Sequence, residues 1–266
     1  MKQNIKEISR TCDDHARRDA ERSREVIDAG PFRALLSRST DLIWLNYAVP
    51  VGLLGDAAQA QAGLAELRRA FAARERRLRF EFNAQAWPEL APLLEQSGLV
   101  LHAEQPIMVC EPHTLRPFEA AGTRAELLGE ASGDELLAAF LGIQRRGFED
   151  QPAPVTPTDV AALRDALAHS AHLQALVWID GAPASAASLS PIGPVAELAG
   201  VATDPTMRRR GGAATASSFL VREHFQRGGQ LAWLSAGDAA AQAVYQLIGF
   251  QLIDSRLNYI EPEAAA

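Results

Sequence analysis

The chain has 266 residues, 47% of them hydrophobic, enough to bury a substantial core and to exclude an intrinsically disordered polymer. Its formal charge of −7, from 33 acidic and 26 basic residues, argues against nonspecific nucleic-acid binding as the main activity and gives at most a mild preference for a cationic substrate. Its two cysteines, Cys12 and Cys110, are far apart and outside any Cys-x-x-Cys pair, which points away from a disulfide framework or zinc site and toward a reducing cytoplasm.

The N-terminus has no apolar signal core, and no stretch reaches the roughly 18 uninterrupted apolar residues of a membrane span. A soluble protein with no membrane partner is expected. Residues 1 to about 38 read as a charged helical lead-in, with Arg17-Arg18-Asp19-Ala20-Glu21-Arg22 on a solvated face. Asp41 to Pro50 is a strand candidate, followed by an amphipathic helix from about Asp56 to Arg77 with Leu64, Leu67 and Phe71 on its apolar side. Leu78 to Phe82 alternates as a strand, and a helix entered at Trp87-Pro88 ends at Gly98. Val100 to His102 and Ile107 to Cys110 supply two further strands.

Glu111 to Pro117 is the expected linker, because two prolines break both helical and strand periodicity. It divides the chain into domains at 1–112 and 113–266. Thr123 to Leu128 begins the second as a strand, and Asp134 to Arg146 is a helix burying Leu136, Leu137, Phe140 and Ile143. A proline-rich loop from Phe148 to Thr158 leads to a helix capped by Thr158 or Asp159 and reaching Ala168. Leu173 to Ile179 and Ala184 to Ser190 form a hairpin turned at Asp180-Gly181. Val195 to Thr203 is the next strand, Gln230 to Ala236 another, and Ala239 to Ile248 a helix before Gly249-Phe250. Strands at about 249 to 255 and 256 to 260 close the chain.

Between the strand ending at Thr203 and the helix that follows stand Arg208, Arg209, Arg210, Gly211 and Gly212. Such a strand, glycine loop, helix junction binds anions, since the first helical amides lack intrahelical partners and carry the positive dipole end. Glycines let backbone approach a phosphate, and arginines add charge. The Gly-Lys-Ser/Thr ending of a P-loop and the three spaced glycines of a dinucleotide fingerprint are both absent. No Gly-x-Ser-x-Gly elbow accompanies Ser217, Ser218, Ser235 or His224, which excludes a serine hydrolase of that type. His169 and His172 lack the carboxylates or cysteines of a metal cluster, so no metal is expected.

Arg208 to Ala213 is an instance of Arg/Gln-x-x-Gly-x-Gly/Ala, and Asp238-x-x-Ala241-x-x-x-Tyr245-x-x-x-Gly249-Phe250 is similar to Asn-x-x-Ala-x-x-x-Tyr-x-x-x-Gly-Phe. In this order and at this separation, the two resemble the acyl-CoA loop and downstream signature of the GNAT N-acetyltransferase superfamily. The resemblance implies that superfamily's α/β (α+β) fold, a mixed, mostly antiparallel sheet with helices on both faces. Leu94-Glu-Gln-Ser-Gly-Leu99 also echoes Tyr245-Gln-Leu-Ile-Gly-Phe250. The N-terminal half is therefore expected to be a second, degenerate GNAT-like copy, in tandem, without an arginine-glycine loop.

The resemblance further implies acetyl-CoA as cosubstrate, held through Val201, Ala202, Thr203, Arg208, Arg209, Arg210, Gly211, Gly212, Ala213, Ala214, Thr215, Asp238 and Ala241. The Val201 amide would meet the thioester carbonyl, with Gly200 marking a bulge in the strand. Tyr245 would be the general acid toward the CoA sulfur, and Glu197 the general base, acting directly or through water. In an unbroken strand Glu197 shares a face with Val201, a parity that a bulge would disturb. Phe148, Glu149 and Asp150 are candidate acceptor contacts. Asp238 departs from the usual Asn, losing a donor and adding charge.

The activity implied is direct transfer of an acetyl group to a primary amine, with a small-molecule acceptor favoured and a monomer or homodimer expected. A non-catalytic acyl-CoA sensor and a protein acetyltransferase are the alternatives.

Overall fold

At the hairpin turn Asp180 and Gly181 both have positive φ, 51° and 81°, the two-residue geometry that matches strand twist and that Asp-Gly adopts at low cost. They join β7 (Leu173–Ile179) to β8 (Ala182–Ile192), which pairs antiparallel with β9 (Val195–Thr203). The computed structural model describes residues 5–263. The chain folds into two compact units, one running to Ile107 and including the chain from Ile253 on, the other spanning Met108–Leu252. The structural division thus falls five residues before the expected boundary at 112/113, and the end of the chain belongs to the first unit.

In the first unit, α1 (Ile5–Glu21) is followed by a hairpin, β1 (Glu25–Ala29) and β2 (Phe32–Leu36), in place of the helix expected to residue 38. Gly30, at φ 60°, makes the turn before Pro31. β3 (Asn46–Pro50) pairs antiparallel with β2 and, through Ala48 and Phe80, parallel with β4 (Arg79–Asn83). Between them runs α2 (Ala57–Ala72), capped by Asp56, whose carboxylate accepts from the Gln59 amide at 2.8 Å. α3 (Leu90–Gln96) and β5 (Val100–Cys110) follow. β5 continues straight through Pro106, merging the two strands expected at its ends. The final strand, β11 (Gln251–Ile260), is likewise one element, and from Arg256 to Ile260 it pairs antiparallel with β4. One sheet face carries the apolar core of Leu64, Leu67, Phe71, Phe80, Phe82 and Leu94 under α2 and α3.

The second unit has strand order β10-β9-β8-β7-β6, with β6 (Thr123–Leu128) at the edge and β10 (Leu231–Ser235) parallel to β9. Helices α4 (Asp134–Phe148) and α5 (Pro157–His169) cover one face over Leu176, Ala186 and Ala202. Helices α6 (Gly212–Gln226) and α7 (Ala239–Leu247) cover the other over Ala175, Val177, Leu189, Leu198 and Leu234. The cap of α5 is Thr156, with Pro157 in the first turn and Asp159 completing a reciprocal capping box, two residues earlier than expected.

An order of elements repeats along the chain: three antiparallel strands (β1–β3, β7–β9) lead through a helix (α2, α6) to a strand parallel to the third (β4, β10), then to a short helix (α3, α7) and a last strand (β5, β11). Gly98 and Gly249, at φ 86° and 104°, end the short helices, and the same bond follows each: Leu99 N–H to Leu94 C=O and Phe250 N–H to Tyr245 C=O, both 3.0 Å. No helix among the described residues is long and apolar enough to cross a membrane.

Candidate active site

Parallel pairing between β9 and β10 runs only from Val195↔Leu231 to Glu197↔Trp233, although β9 continues to Thr203 and β10 to Ser235. The two strands part beyond Glu197 and Trp233. On the other side of β9 the register slips: Ser188 pairs with Ala199 and Ala186 with Ala202, so Ala187 alone faces Gly200 and Val201. This is a β-bulge, with Gly200 at φ 59°. Its effect on side-chain direction is plain, since Ala196 and Leu198 join the core beneath α6 whereas Ala202 joins the core beneath α4. Val201 packs toward α6 and α7, as does Tyr245. By alternation from Leu198, Glu197 lies on the opposite, α4 face, so the shared face of an unbroken strand is lost at the bulge.

β9 ends at Thr203, and Asp204 caps a single 3-10 turn (Pro205–Met207). Arg146, near the end of α4, donates through Nε to Asp204 Oδ2 at 2.8 Å. Burial pushes the Asp204 carboxyl up, but bonds from Thr206 and Arg146 outweigh it and hold the carboxyl below its ordinary range. Arg209 and Gly211 then take positive φ, 63° and 80°, and α6 starts with no side chain capping it. The amides of Gly212, Ala213 and Ala214 therefore have no intrahelical partner. Arg208 and Arg209 form no ion pair among the described residues, while Arg210 pairs with Asp180 on the hairpin turn.

The glycines here answer first to the protein's own packing. A Cβ on Gly211 would lie 2.6 Å from Ala120 Cβ and 3.4 Å from the Phe118 ring, and one on Gly212 would overlap Ser185. The intruding residues belong to a strap. The Phe118 amide donates to Ser218 Oγ at 2.8 Å, the Ala120 amide to Thr215 Oγ1 at 3.1 Å, and the Arg116 amide to the Ile248 carbonyl at 2.9 Å. The Thr114 carbonyl fills the space a Gly249 side chain would need. The segment read as a linker thus braces both motif-bearing helices, and Thr215, 2% exposed, is turned inward to hold it. Thr203 is also engaged internally, its hydroxyl 2.8 Å from that of Ser185.

Asp238 caps α7, accepting the Ala241 amide at 2.7 Å. Tyr245 lies on α7 with its ring 5.9 Å from that of Phe250. Burial, with a smaller contribution from the Asp238 carboxylate, pushes the phenol up to about 12. At the other end of the site, the close of α4 abuts β9 so tightly that a Cβ on Gly147 would lie 2.7 Å from Ala202 Cβ. Phe148, 65% exposed, lines a cavity of about 400 Å³ with Glu149, Asp150, Pro152, Pro205 and Arg208. The structure thereby brings the candidate acceptor residues and the first arginine of the loop to one cavity. Sequence reasoning missed the strap, Asp180 as partner of Arg210, and Gln144, whose Nε2 donates to the Gly200 carbonyl at 3.1 Å. A signal for Gln144 was present: it lies four residues after Phe140 and beside Ile143, a polar side chain on the core-facing side of α4.

The profile of the Acetyltransferase (GNAT) family matches residues 137–250, the span from the early part of α4 to Phe250. A GCN5-related N-acetyltransferase from Kribbella flavida is 29% identical over 97% of this chain and 96% of its own, with a TM-score of 0.79. Residues 137–250 carry a GNAT-family domain, and the chain as a whole is similar to GNAT proteins. Two further GNAT structures share the fold at lower identity. A tandem GNAT protein from the clavulanic acid biosynthesis pathway is 14% identical, covering 88% of this chain and 79% of its own at a TM-score of 0.65. A GCN5-related N-acetyltransferase from Sphaerobacter thermophilus is 12% identical, covering 89% and 79% at 0.66. No curated protein matches the chain significantly. The mixed α/β fold with helices on both faces is the GNAT fold, and acyl transfer is the chemistry of the GNAT family.

Proposed function

We propose that the chain is an acetyl-CoA-dependent N-acetyltransferase that transfers acetyl directly to a primary amine, with a small molecule as acceptor. The observation that carries this reading is the uncapped start of α6 beneath two arginines that form no ion pair among the described residues, beside the gap between β9 and β10. A diphosphate suits that site: the amides of Arg210 to Ala214 and the dipole of α6 receive it, with Arg208 and Arg209 supplying charge. Ala241 and the Asp238 cap would border the pantetheine. Acetyl-CoA supplies the thioester.

The Val201 amide donates to the carbonyl oxygen as negative charge develops there, with Ala202 and Thr203 continuing the strand edge. Glu197, on the α4 face with Phe148, Glu149 and Asp150, takes the amine proton directly or through water. Tyr245, on the other face, donates its phenol hydrogen bond to the departing sulfur. With its phenol near 12 and a thiol near 8.5, full proton transfer is uphill, so donation without transfer is the favoured role. Asp238 caps α7 as an Asn carbonyl would, so its departure from the usual residue gives no support to a non-catalytic sensor.

Thiol release from acetyl-CoA with a panel of small primary amines tests the reading. Amine-dependent release is expected; acetyl-CoA binding without release by any small amine or lysine peptide would favour the sensor instead.

A further inference from the structure

Gln144 has no part in the roles above, yet it sits where one of them is decided. It lies half-buried on α4, directly after the core residue Ile143. Its Nε2 donates to the Gly200 carbonyl at 3.1 Å and stands 3.5 Å from Ser188 Oγ, at the limit of hydrogen bonding. A Cβ on Gly200 would lie 2.6 Å from Nε2 and displace the amide, and its φ of 59° disfavours any L side chain.

The Gly200 carbonyl and the Val201 N–H belong to one planar trans peptide, so they point in opposite directions. Drawing the carbonyl toward α4 turns the N–H away from α4, to the face on which Tyr245 packs. A glycine in a bulge leaves its own ψ free, so on that side the peptide has no steric lock and only the φ of Val201 restrains it. We propose that Gln144 is a positioning residue that locks the Gly200–Val201 peptide with its N–H facing the acyl carbonyl. The inference rests on the acetyltransferase reading for its catalytic consequence, and on the bulge alone for the lock.

The test compares wild type with Gln144→Leu and Gln144→Glu by steady-state kinetics, acetyl-CoA binding, melting temperature and the Val201 amide resonance in ¹⁵N-labelled protein. Gln144→Leu should lower kcat on the order of tenfold or more, since a misaimed donor forfeits stabilisation of developing charge, while KM for acetyl-CoA changes little. Gln144→Glu is isosteric but cannot donate when ionised, so its activity relative to wild type should rise as pH falls and the carboxyl regains a proton. The Val201 resonance should shift in both variants. A lowered melting temperature with wild-type kcat would overturn the catalytic role, as would lost acetyl-CoA binding with normal turnover. An unmoved Val201 resonance would overturn the lock itself. A wild type inactive with every amine, combined with a shifted resonance, would count against the acetyltransferase reading and leave the lock standing.

Discussion

Gly211 and Gly249 belong to the two sequence motifs, and each faces the strap at 114–120. Gly211→Ala should therefore lower stability by about 1–3 kcal/mol through positive φ and collision with Ala120, and any loss of ligand there would say nothing about phosphate. Arg208→Glu is the informative change, because Arg208 is exposed and forms no ion pair among the described residues. It should raise KM for acetyl-CoA tenfold or more at an unchanged melting temperature. Tyr245→Phe should lower kcat about 10- to 100-fold with acetyl-CoA affinity intact. Because the phenol is pushed up to about 12, kcat should show no inflection from Tyr245 until pH approaches that value; one near 8 or 9 in wild type, absent from Tyr245→Phe, would show that the phenol ionises in turnover. Both motifs were legible in sequence, but the reason for their glycines was not. Residues far upstream impose it, Ala120 and Phe118 on Gly211 and Thr114 on Gly249, and no local pattern reports them.

At the scale of elements, helix starts separate the two units. Asp56 closes α2 with its own carboxylate, whereas α6 is left open after Gly211. Strong local chemistry was readable: the Asp180-Gly181 turn and the apolar side of α4 both fell where the residues put them. The first hairpin was hidden because Glu25 to Ala29 is short and charged, and β5 was split in two because Pro106 reads as a breaker. α1 shows a different kind of docking, through polar groups that no periodicity reveals. Asp13 accepts from the Asn83 amide and from Trp87 Nε1, both at 3.0 Å, and from Arg256 at 3.3 Å, with Glu81 on the far side of that arginine. Burial outweighs these partners and pushes the Asp13 carboxyl from 3.8 up to about 6. A folded state that holds the proton more tightly than the unfolded chain gains stability as pH falls. Wild type should thus become more stable between pH 8 and about 4, by at most on the order of 3 kcal/mol from this group. Asp13→Asn should flatten that slope in urea unfolding at several pH values. A slope unchanged by the substitution would show that burial does not govern this carboxyl.

Over the whole molecule, the repeated order of elements and the matching glycine-ended helices are compatible with a tandem arrangement, and we propose that the N-terminal repeat is the copy without a cofactor site. Tyr245 has Leu94 as its counterpart, and the counterpart of the open α6 start is the closed start of α2. One acyl-CoA per chain is the consequence, and isothermal calorimetry with acetyl-CoA on wild type and Ala213→Asp tests it most directly. Ala213 lies in the first turn of α6, where an aspartate favours the helix and repels a diphosphate. The expected result is micromolar-range binding at one site per chain, weakened at least tenfold in Ala213→Asp without loss of melting temperature. Equal affinity in the two proteins, two sites per chain, or no binding by wild type would contradict the account.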